Sequence, residues 1–168
     1  MIDPSVRLFC REEAILWLEH LEDPTILRGV VSIGDPGSEP PAILASLACP
    51  VLRLLFLDRY DSGSVEGVTG PSSVHILKLE EFARILRPRS GTTVVHCDSG
   101  LSRGPSVGWI LACFLSGPGN EARLLDSILS QRPGAGLNPW LITLAQRRFQ
   151  RFDFTTPAVK QLKNGVRR

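Results

Sequence analysis

One twelve-residue segment near the middle of the chain combines three kinds of local structure: Val94-Val95-His96-Cys97-Asp98-Ser99-Gly100-Leu101-Ser102-Arg103-Gly104-Pro105. The β-branched run that begins at Thr92 predicts a buried strand. Gly100 permits the positive φ that a tight loop requires, and Pro105 favours the first turn of a helix. This strand–loop–helix order is typical of an α/β sheet, in which ligands bind beyond the carboxyl ends of the strands.

Strands and helices alternate on both sides of this segment. Apolar and alternating runs predict strands at residues 6–10, 28–33, 51–57 and 92–96. Helical spacing predicts helices at residues 11–21, 41–47, 72–86, 105–115, 121–131 and 139–152. We therefore predict an α/β fold with a central, mostly parallel sheet that is flanked by helices on both faces.

Length and composition are those of one globular domain. The chain has 168 residues, of which 43% are hydrophobic and 21% charged. We predict a single domain at residues 1–154 and a flexible, basic C-terminal tail at residues 155–168. No apolar run is long enough to span a bilayer, and the first residues do not resemble a signal peptide. The sequence therefore predicts a cytoplasmic protein without a membrane span.

The charge balance is close to neutral, at +2, which does not favour nucleic acid as a partner. Residues 147–168 carry seven basic side chains and one acidic side chain. This basic end is either a solvated face or a surface for an anionic partner. The four cysteines form no Cys-x-x-Cys pair, so we predict neither a metal site nor a cofactor.

The twelve-residue segment also has the composition of an anion site. Cys97 follows the strand directly, and Arg103 comes six residues later at the start of the predicted helix. Backbone N–H groups of such a loop converge with the helix N-terminus on one point, where they favour negative charge. The planar guanidinium of Arg103 matches two oxygens of a phosphate group.

The stretch from His96 to Arg103 resembles the HCxxGxxR signature of cysteine-dependent protein tyrosine phosphatases. Residues 132–139, RPGAGLNP, are similar to a segment of the small dual-specificity-like members, and Phe56-Leu57-Asp58 resembles the strand end that delivers their general acid. The resemblance implies a dual-specificity-like phosphatase fold. It also implies hydrolysis of phosphomonoesters, phosphotyrosine first and phosphoserine or phosphothreonine next, through a cysteinyl-phosphate intermediate.

The resemblance implies a role for each matching residue. Cys97 is the expected nucleophile, and Asp58 is the expected general acid, with Asp61 and Glu66 as alternatives in the same loop. His96 is expected to orient the loop by a hydrogen bond from behind. Asn138 is expected to brace the loop, to cap the helix that follows it, or both. The phosphate is expected to bind Arg103 and the backbone of Asp98, Ser99, Gly100, Leu101 and Ser102.

Two residues depart from the family pattern. Gly104 stands where the family has a serine or threonine whose hydroxyl stabilises the departing thiolate. Asp98 places a carboxylate beside the nucleophile, and the loop has no lysine, so phosphoinositides and RNA phosphates are less favoured substrates than phosphoproteins or small phosphomonoesters. Two alternatives therefore stay open: a non-catalytic phosphate-binding module, and a sulfurtransferase of the rhodanese type.

Overall fold

The structure is a computed structural model that describes residues 5–61, 64–65 and 68–165. Its strands are β1 (Val6–Cys10), β2 (Leu27–Gly34), β3 (Val51–Leu55), β4 (Ser64–Val65), β5 (Val68–Thr69) and β6 (Thr92–Cys97). Its α-helices are α1 (Arg11–Glu19), α2 (Ser73–Leu86), α3 (Arg103–Ser116), α4 (Glu121–Ser130), α5 (Pro139–Arg148) and α6 (Thr155–Gly165). The short helix predicted at residues 41–47 is a 3-10 helix, Ala42–Ser46.

Four strands form one parallel sheet in the order β1-β6-β2-β3. The predicted parallel sheet with flanking helices is therefore confirmed. Strand β6 is central, and its last residue, Cys97, pairs in register with Cys10 of β1. The strands β4 and β5 form a separate antiparallel pair in the segment that follows Asp58 and Asp61.

The two faces of the sheet are covered unequally. The larger hydrophobic core lies on the side of α3, whose Trp109, Ile110 and Phe114 are buried together with Val95 of β6. The smaller core lies on the side of α1 and includes Val94 of β6. Because α3 is buried along most of its length, its N-terminus is fixed against the carboxyl end of β6.

The outer edge of β1 is occupied by side chains. Gln131 follows α4, and its Nε2 donates to the Val6 carbonyl at 3.0 Å while its Oε1 accepts the Leu8 N–H at 3.0 Å. Glu13 of α1 accepts the Cys10 N–H at 3.0 Å. These contacts satisfy backbone groups of β1 that do not pair with β6.

The chain beyond α5 differs from the sequence-based expectation. A helix was predicted to continue to residue 152, but α5 ends at Arg148 and the next residues turn back towards the core. Phe152 and Phe154 are buried, and their rings lie 5.5 Å and 6.3 Å from that of Phe114. Gln146 holds the turn, because its side chain donates to the Phe152 carbonyl and accepts the Phe154 N–H.

The segment predicted as a flexible tail from residue 155 contains helix α6, Thr155–Gly165, a correction to that expectation. Its Pro157 and Ala158 are buried, and the helix packs against α5 and α4. The buried aromatic residues just before α6 account for its position, since they anchor the start of the helix. No helix in the described part of the chain is long and apolar enough to cross a membrane.

Candidate active site

Cys97 ends β6 with its side chain enclosed by the loop that follows. Its Sγ accepts the N–H of Gly100 at 3.2 Å and that of Gly104 at 3.2 Å. The residue is 1% exposed. Two backbone N–H groups therefore point at the sulfur, the atom that would act as the nucleophile.

The loop turns its carbonyl groups away from Cys97. The Asp98 carbonyl accepts the Arg11 N–H at 3.1 Å, and the Leu101 carbonyl accepts the Gly136 N–H at 2.9 Å. The Ser99 carbonyl accepts from Nη2 of Arg132 at 3.3 Å. The carbonyl and N–H of a trans peptide group point in opposite directions. The N–H groups that share these peptides therefore face the inside of the loop, where they form a cradle for an anion.

Gly100 occupies a position that accepts no other residue. Its φ is +73°, and a Cβ there would lie 2.9 Å from the Cys10 nitrogen and 3.0 Å from the Phe9 carbonyl carbon. Strand β1 therefore presses directly against the loop at this point, and only a glycine allows the approach.

Arg103 begins α3 and lies beside Cys97 with its side chain mostly buried. Nη1 donates to Oδ1 of Asp35 at 2.7 Å and to the Phe56 carbonyl at 2.9 Å, and Nη2 donates to Oδ2 of Asp98 at 3.1 Å. Burial opposes the positive charge, but the hydrogen bond and the charge of Asp35 outweigh it, so the pKa of Arg103 is raised above its usual value. The guanidinium therefore stays charged.

Asp58 is the predicted general acid whose carboxylate contacts the loop. Its Oδ1 accepts from Oγ of Ser102 at 3.0 Å and from Nδ2 of Asn138 at 2.7 Å. Asp61, the first alternative, forms an ion pair with Arg59 at 3.1 Å. Glu66, the second alternative, lies outside the described residues.

Asn138 combines the two roles that the sequence left open. Its Oδ1 caps α5 by accepting the N–H groups of Trp140 and Leu141, both at 3.0 Å. Its Nδ2 donates to Asp58 and to the Arg59 carbonyl at 3.0 Å. The Asn138 side chain therefore contacts the Asp58 segment directly. It is linked to the Cys97 loop through the hydrogen bond between Asp58 and Ser102.

His96 lies in β6 directly before Cys97. Its ring is fully buried, and neither ring nitrogen makes a side-chain hydrogen bond of standard geometry within the described part of the chain. Burial lowers the pKa of His96 to about 4. The ring is therefore neutral at physiological pH. A backbone hydrogen bond at Cys97 opposes the effect of burial in part, and the orienting role of His96 stays a prediction.

Gly104 has no hydroxyl at the position where the family pattern has a serine or threonine, and the Ser102 hydroxyl does not replace it. The Ser102 hydroxyl donates to Asp58, while Gly104 offers Cys97 only its N–H. A Cβ at Gly104 would lie 3.3 Å from Sγ of Cys97, which is a tight contact. A side chain at this position would therefore meet the sulfur directly.

Sequence reasoning missed two residues at the site. Asp35 follows β2 and pairs with Arg103, and its position after the carboxyl end of a parallel strand was a signal that pointed to it. Arg132 follows α4, where it pairs with Glu13 and donates to the loop. It lies in the segment that supported the resemblance, but no role was assigned to it.

The donors of this site suit an anion. Within residues 5–61, 64–65 and 68–165, no group of three or more His, Cys, Asp or Glu side chains is placed to hold a metal ion. His75 lies at the start of α2, where its Nδ1 accepts the Ser72 N–H at 2.9 Å. The groups that converge near Cys97 are amide N–H groups and a guanidinium, both of which bind oxyanions.

Comparison with solved structures identifies the fold. Human DUSP28 matches with 18% sequence identity and a TM-score of 0.62, over 89% of this chain and 94% of its own. A mouse putative dual specificity phosphatase, complexed with zinc tungstate, matches with 17% identity and a TM-score of 0.61, over 89% and 85%. PTPMT1 in complex with PI(5)P matches with 17% identity and a TM-score of 0.59, over 87% and 90%.

The chain therefore has the dual-specificity-like protein tyrosine phosphatase fold that the sequence predicted. No protein-family model matches the sequence, and no curated protein matches it significantly.

Proposed function

We propose that this protein is a cysteine-dependent phosphatase that hydrolyses phosphomonoesters, with phosphotyrosine as the first substrate class. The observation that carries the proposal is that the N–H of Gly100 in the loop and the N–H of Gly104 at the start of α3 both donate to Cys97 Sγ, beside the guanidinium of Arg103. The fold, which is that of solved dual-specificity phosphatases, supports it.

In the first step, Sγ of Cys97 attacks the phosphorus atom and the bond from phosphorus to the ester oxygen breaks. Asp58 gives its proton to the leaving oxygen. The loop amides and Arg103 stabilise the charge that spreads over the three remaining oxygens in the transition state. The products are the free alcohol or phenol and a cysteinyl-phosphate.

In the second step, a water molecule attacks the phosphorus atom of the cysteinyl-phosphate. The Asp58 carboxylate takes a proton from this water, and the sulfur leaves as a thiolate. The amides of Gly100 and Gly104 stabilise the returning negative charge on Sγ. Orthophosphate then leaves the site.

The proposal favours aromatic phosphate esters of proteins over phosphoinositides. Leu101 projects from the loop with 43% of its surface exposed and offers an apolar contact to an aromatic ring. Asp98, which pairs with Arg103, repels additional phosphate groups. PTPMT1 was solved with the phosphoinositide PI(5)P, so this lipid is the substrate to compare with a phosphotyrosine peptide.

A non-catalytic phosphate-binding module remains the second candidate. It is favoured by Gly104, which gives the departing thiolate no hydroxyl, and by the Asp98 carboxylate on Arg103. The solved structures that share the fold do not favour the rhodanese-type alternative.

Release of p-nitrophenol from p-nitrophenyl phosphate tests the proposal. The wild-type protein is expected to hydrolyse this ester, and Cys97→Ser is expected to be inactive. Cys49→Ser is the control, because it makes the same replacement at a half-buried cysteine outside the loop, and it is expected to retain activity. Mass spectrometry of acid-quenched wild-type protein is expected to detect a phosphoryl group on Cys97. If the wild type is as slow as Cys97→Ser but binds orthophosphate, the binding module is the correct function.

A further inference from the structure

The guanidinium of Arg103 is shared between two carboxylates that come from different parts of the fold. Asp35 lies in the loop after β2, and Asp98 directly follows Cys97. The side chain of Arg103 is 9% exposed, whereas those of Asp35 and Asp98 are 52% and 53% exposed. A buried guanidinium needs compensating charge, and both carboxylates supply it.

The two ends of the guanidinium are held differently. Nη1 has two N–H bonds, and both are used, because it donates to Asp35 and to the Phe56 carbonyl. That carbonyl belongs to a fully buried residue whose own N–H donates to Gly34 at 3.1 Å. Nη1 is thus tied to the ends of β2 and β3, on rigid parts of the sheet.

The opposite end of the guanidinium meets a carboxylate from the loop itself. Nη2 donates to Asp98 at 3.1 Å, which is longer than the 2.7 Å contact between Nη1 and Asp35. A guanidinium binds phosphate through two parallel N–H groups. Since Nη1 is saturated by the sheet, the edge formed by Nη2 and Nε is the one available to a substrate phosphate.

We propose that Asp35 is a positioning residue that fixes Nη1 of Arg103, and that Asp98 is a resident anion that occupies Nη2 until a phosphate displaces it. This inference rests on the proposed function, because it takes phosphate as the ligand of Arg103. The half-exposed side chain of Asp98 moves into solvent on binding, and the phosphate takes over its role as counter-charge. Asp98 thereby raises the dissociation constant for every oxyanion, including the orthophosphate product.

The two carboxylates therefore have opposite effects on one ligand. Without Asp98, phosphate no longer competes with an internal anion and binds more tightly. Without Asp35, the guanidinium loses the contact that orients it, and phosphate binds more weakly even though a negative charge has been removed. If the two carboxylates acted only by repelling phosphate, removing either one would lower the dissociation constant for phosphate.

Calorimetric titration with orthophosphate tests the proposal without requiring turnover. We expect Asp98→Ala to lower the dissociation constant roughly tenfold and Asp35→Ala to raise it roughly tenfold, each a change of about 1.4 kcal/mol. Asp35→Asn, which keeps an oxygen acceptor for Nη1, should recover part of the loss. Asp126→Ala, which removes an exposed carboxylate from α4, is the matched control and should leave the dissociation constant unchanged.

Steady-state kinetics with p-nitrophenyl phosphate provides a second readout. Asp98→Ala should mainly lower KM. Asp35→Ala should raise KM and also lower kcat, because a misoriented guanidinium stabilises the transition state poorly. Asp35→Asn should recover part of kcat.

Three results would overturn the inference: equal or weaker orthophosphate binding by Asp98→Ala, tighter binding by Asp35→Ala, or no binding by any of these proteins. If the dissociation constant for orthophosphate falls in Asp98→Ala and rises in Asp35→Ala, but the wild type has no phosphatase activity, the inference is supported and the proposed function is rejected.

Discussion

The side-chain amide of Asn138 donates to the carboxylate of Asp58 at 2.7 Å, and the same oxygen, Oδ1, accepts from the Ser102 hydroxyl at 3.0 Å. One residue of the α5 cap thus fixes the orientation of the proposed general acid towards the Cys97 loop. Both of these donors use Oδ1, so the proposed mechanism assigns the proton transfer to Oδ2.

We expect Asp58→Asn to reduce kcat strongly for phosphate esters with poor leaving groups, such as phosphotyrosine peptides, and only weakly for p-nitrophenyl phosphate. The nitrophenolate ion leaves without protonation, so it does not need the acid. The substitution is isosteric and retains an oxygen for the Ser102 and Asn138 donors. Asp61→Asn is the matched control, and a larger leaving-group effect there would transfer the role to Asp61.

Asn138→Ala should reduce both stability and activity. The loss of the two cap hydrogen bonds should lower the free energy of unfolding by about 1 kcal/mol, measured by urea denaturation. The loss of the Asp58 contact should lower kcat for poor leaving groups. Asn120→Ala is an informative control, because Asn120 is at the N-cap of α4 without a side-chain capping hydrogen bond. Equal effects on activity would argue against a specific link to Asp58.

Gly104→Ser should speed the breakdown of the cysteinyl-phosphate. A hydroxyl there would donate to Sγ as charge returns, and a hydrogen bond to a charged group is worth roughly 1.5–3 kcal/mol, or about ten- to a hundredfold in rate. The 3.3 Å clearance at this position requires a small local shift. In rapid-quench experiments the wild type should show a burst of product that the variant reduces. A wild type without a burst would mean that the second step is already fast.

His96 makes stability depend on pH. Burial lowers its pKa from 6.5 to about 4, so between these values the unfolded chain binds a proton that the folded protein does not. The His96 contribution to the free energy of unfolding should therefore fall as the pH falls from about 6.5 to about 4, by at most about 1.4 kcal/mol per pH unit. Below pH 4 it should level off.

The difference in unfolding free energy between the wild type and His96→Asn isolates this effect. Urea denaturation at pH 7, pH 5.5 and pH 4.5 should show the difference shrinking as the pH falls. A constant difference across this range would mean that His96 titrates normally in the folded protein.

The sheet and the Cys97 loop were predictable because their signals are local. The β-branched run before Cys97, the glycine at position 100 and the apolar periodicity of α3 each act within a few residues. The position of Asp58 against the loop followed from a resemblance, and the structure adds its contacts with Ser102 and Asn138.

The missed features depend on contacts between distant segments. Asp35 and Arg103 are far apart in sequence. The position of Asp35 after a strand end indicates that it lies near the site, but the local sequence does not show which side chain it pairs with. The end of α5 was placed too late because Phe149 and Phe152 continue a helical apolar spacing. Those aromatic residues bury their rings against Phe114 only after the helix has ended.

Gln131 and Glu13 give strand β1 a property unrelated to phosphate chemistry. An exposed strand at the border of a sheet offers free N–H and carbonyl groups to a second molecule, which is a common route to aggregation. In this protein the carbonyl of Val6 and the N–H groups of Leu8 and Cys10 are already bonded to side chains. The strand that supports the Cys97 loop from one side is thereby a poor template for intermolecular β-pairing.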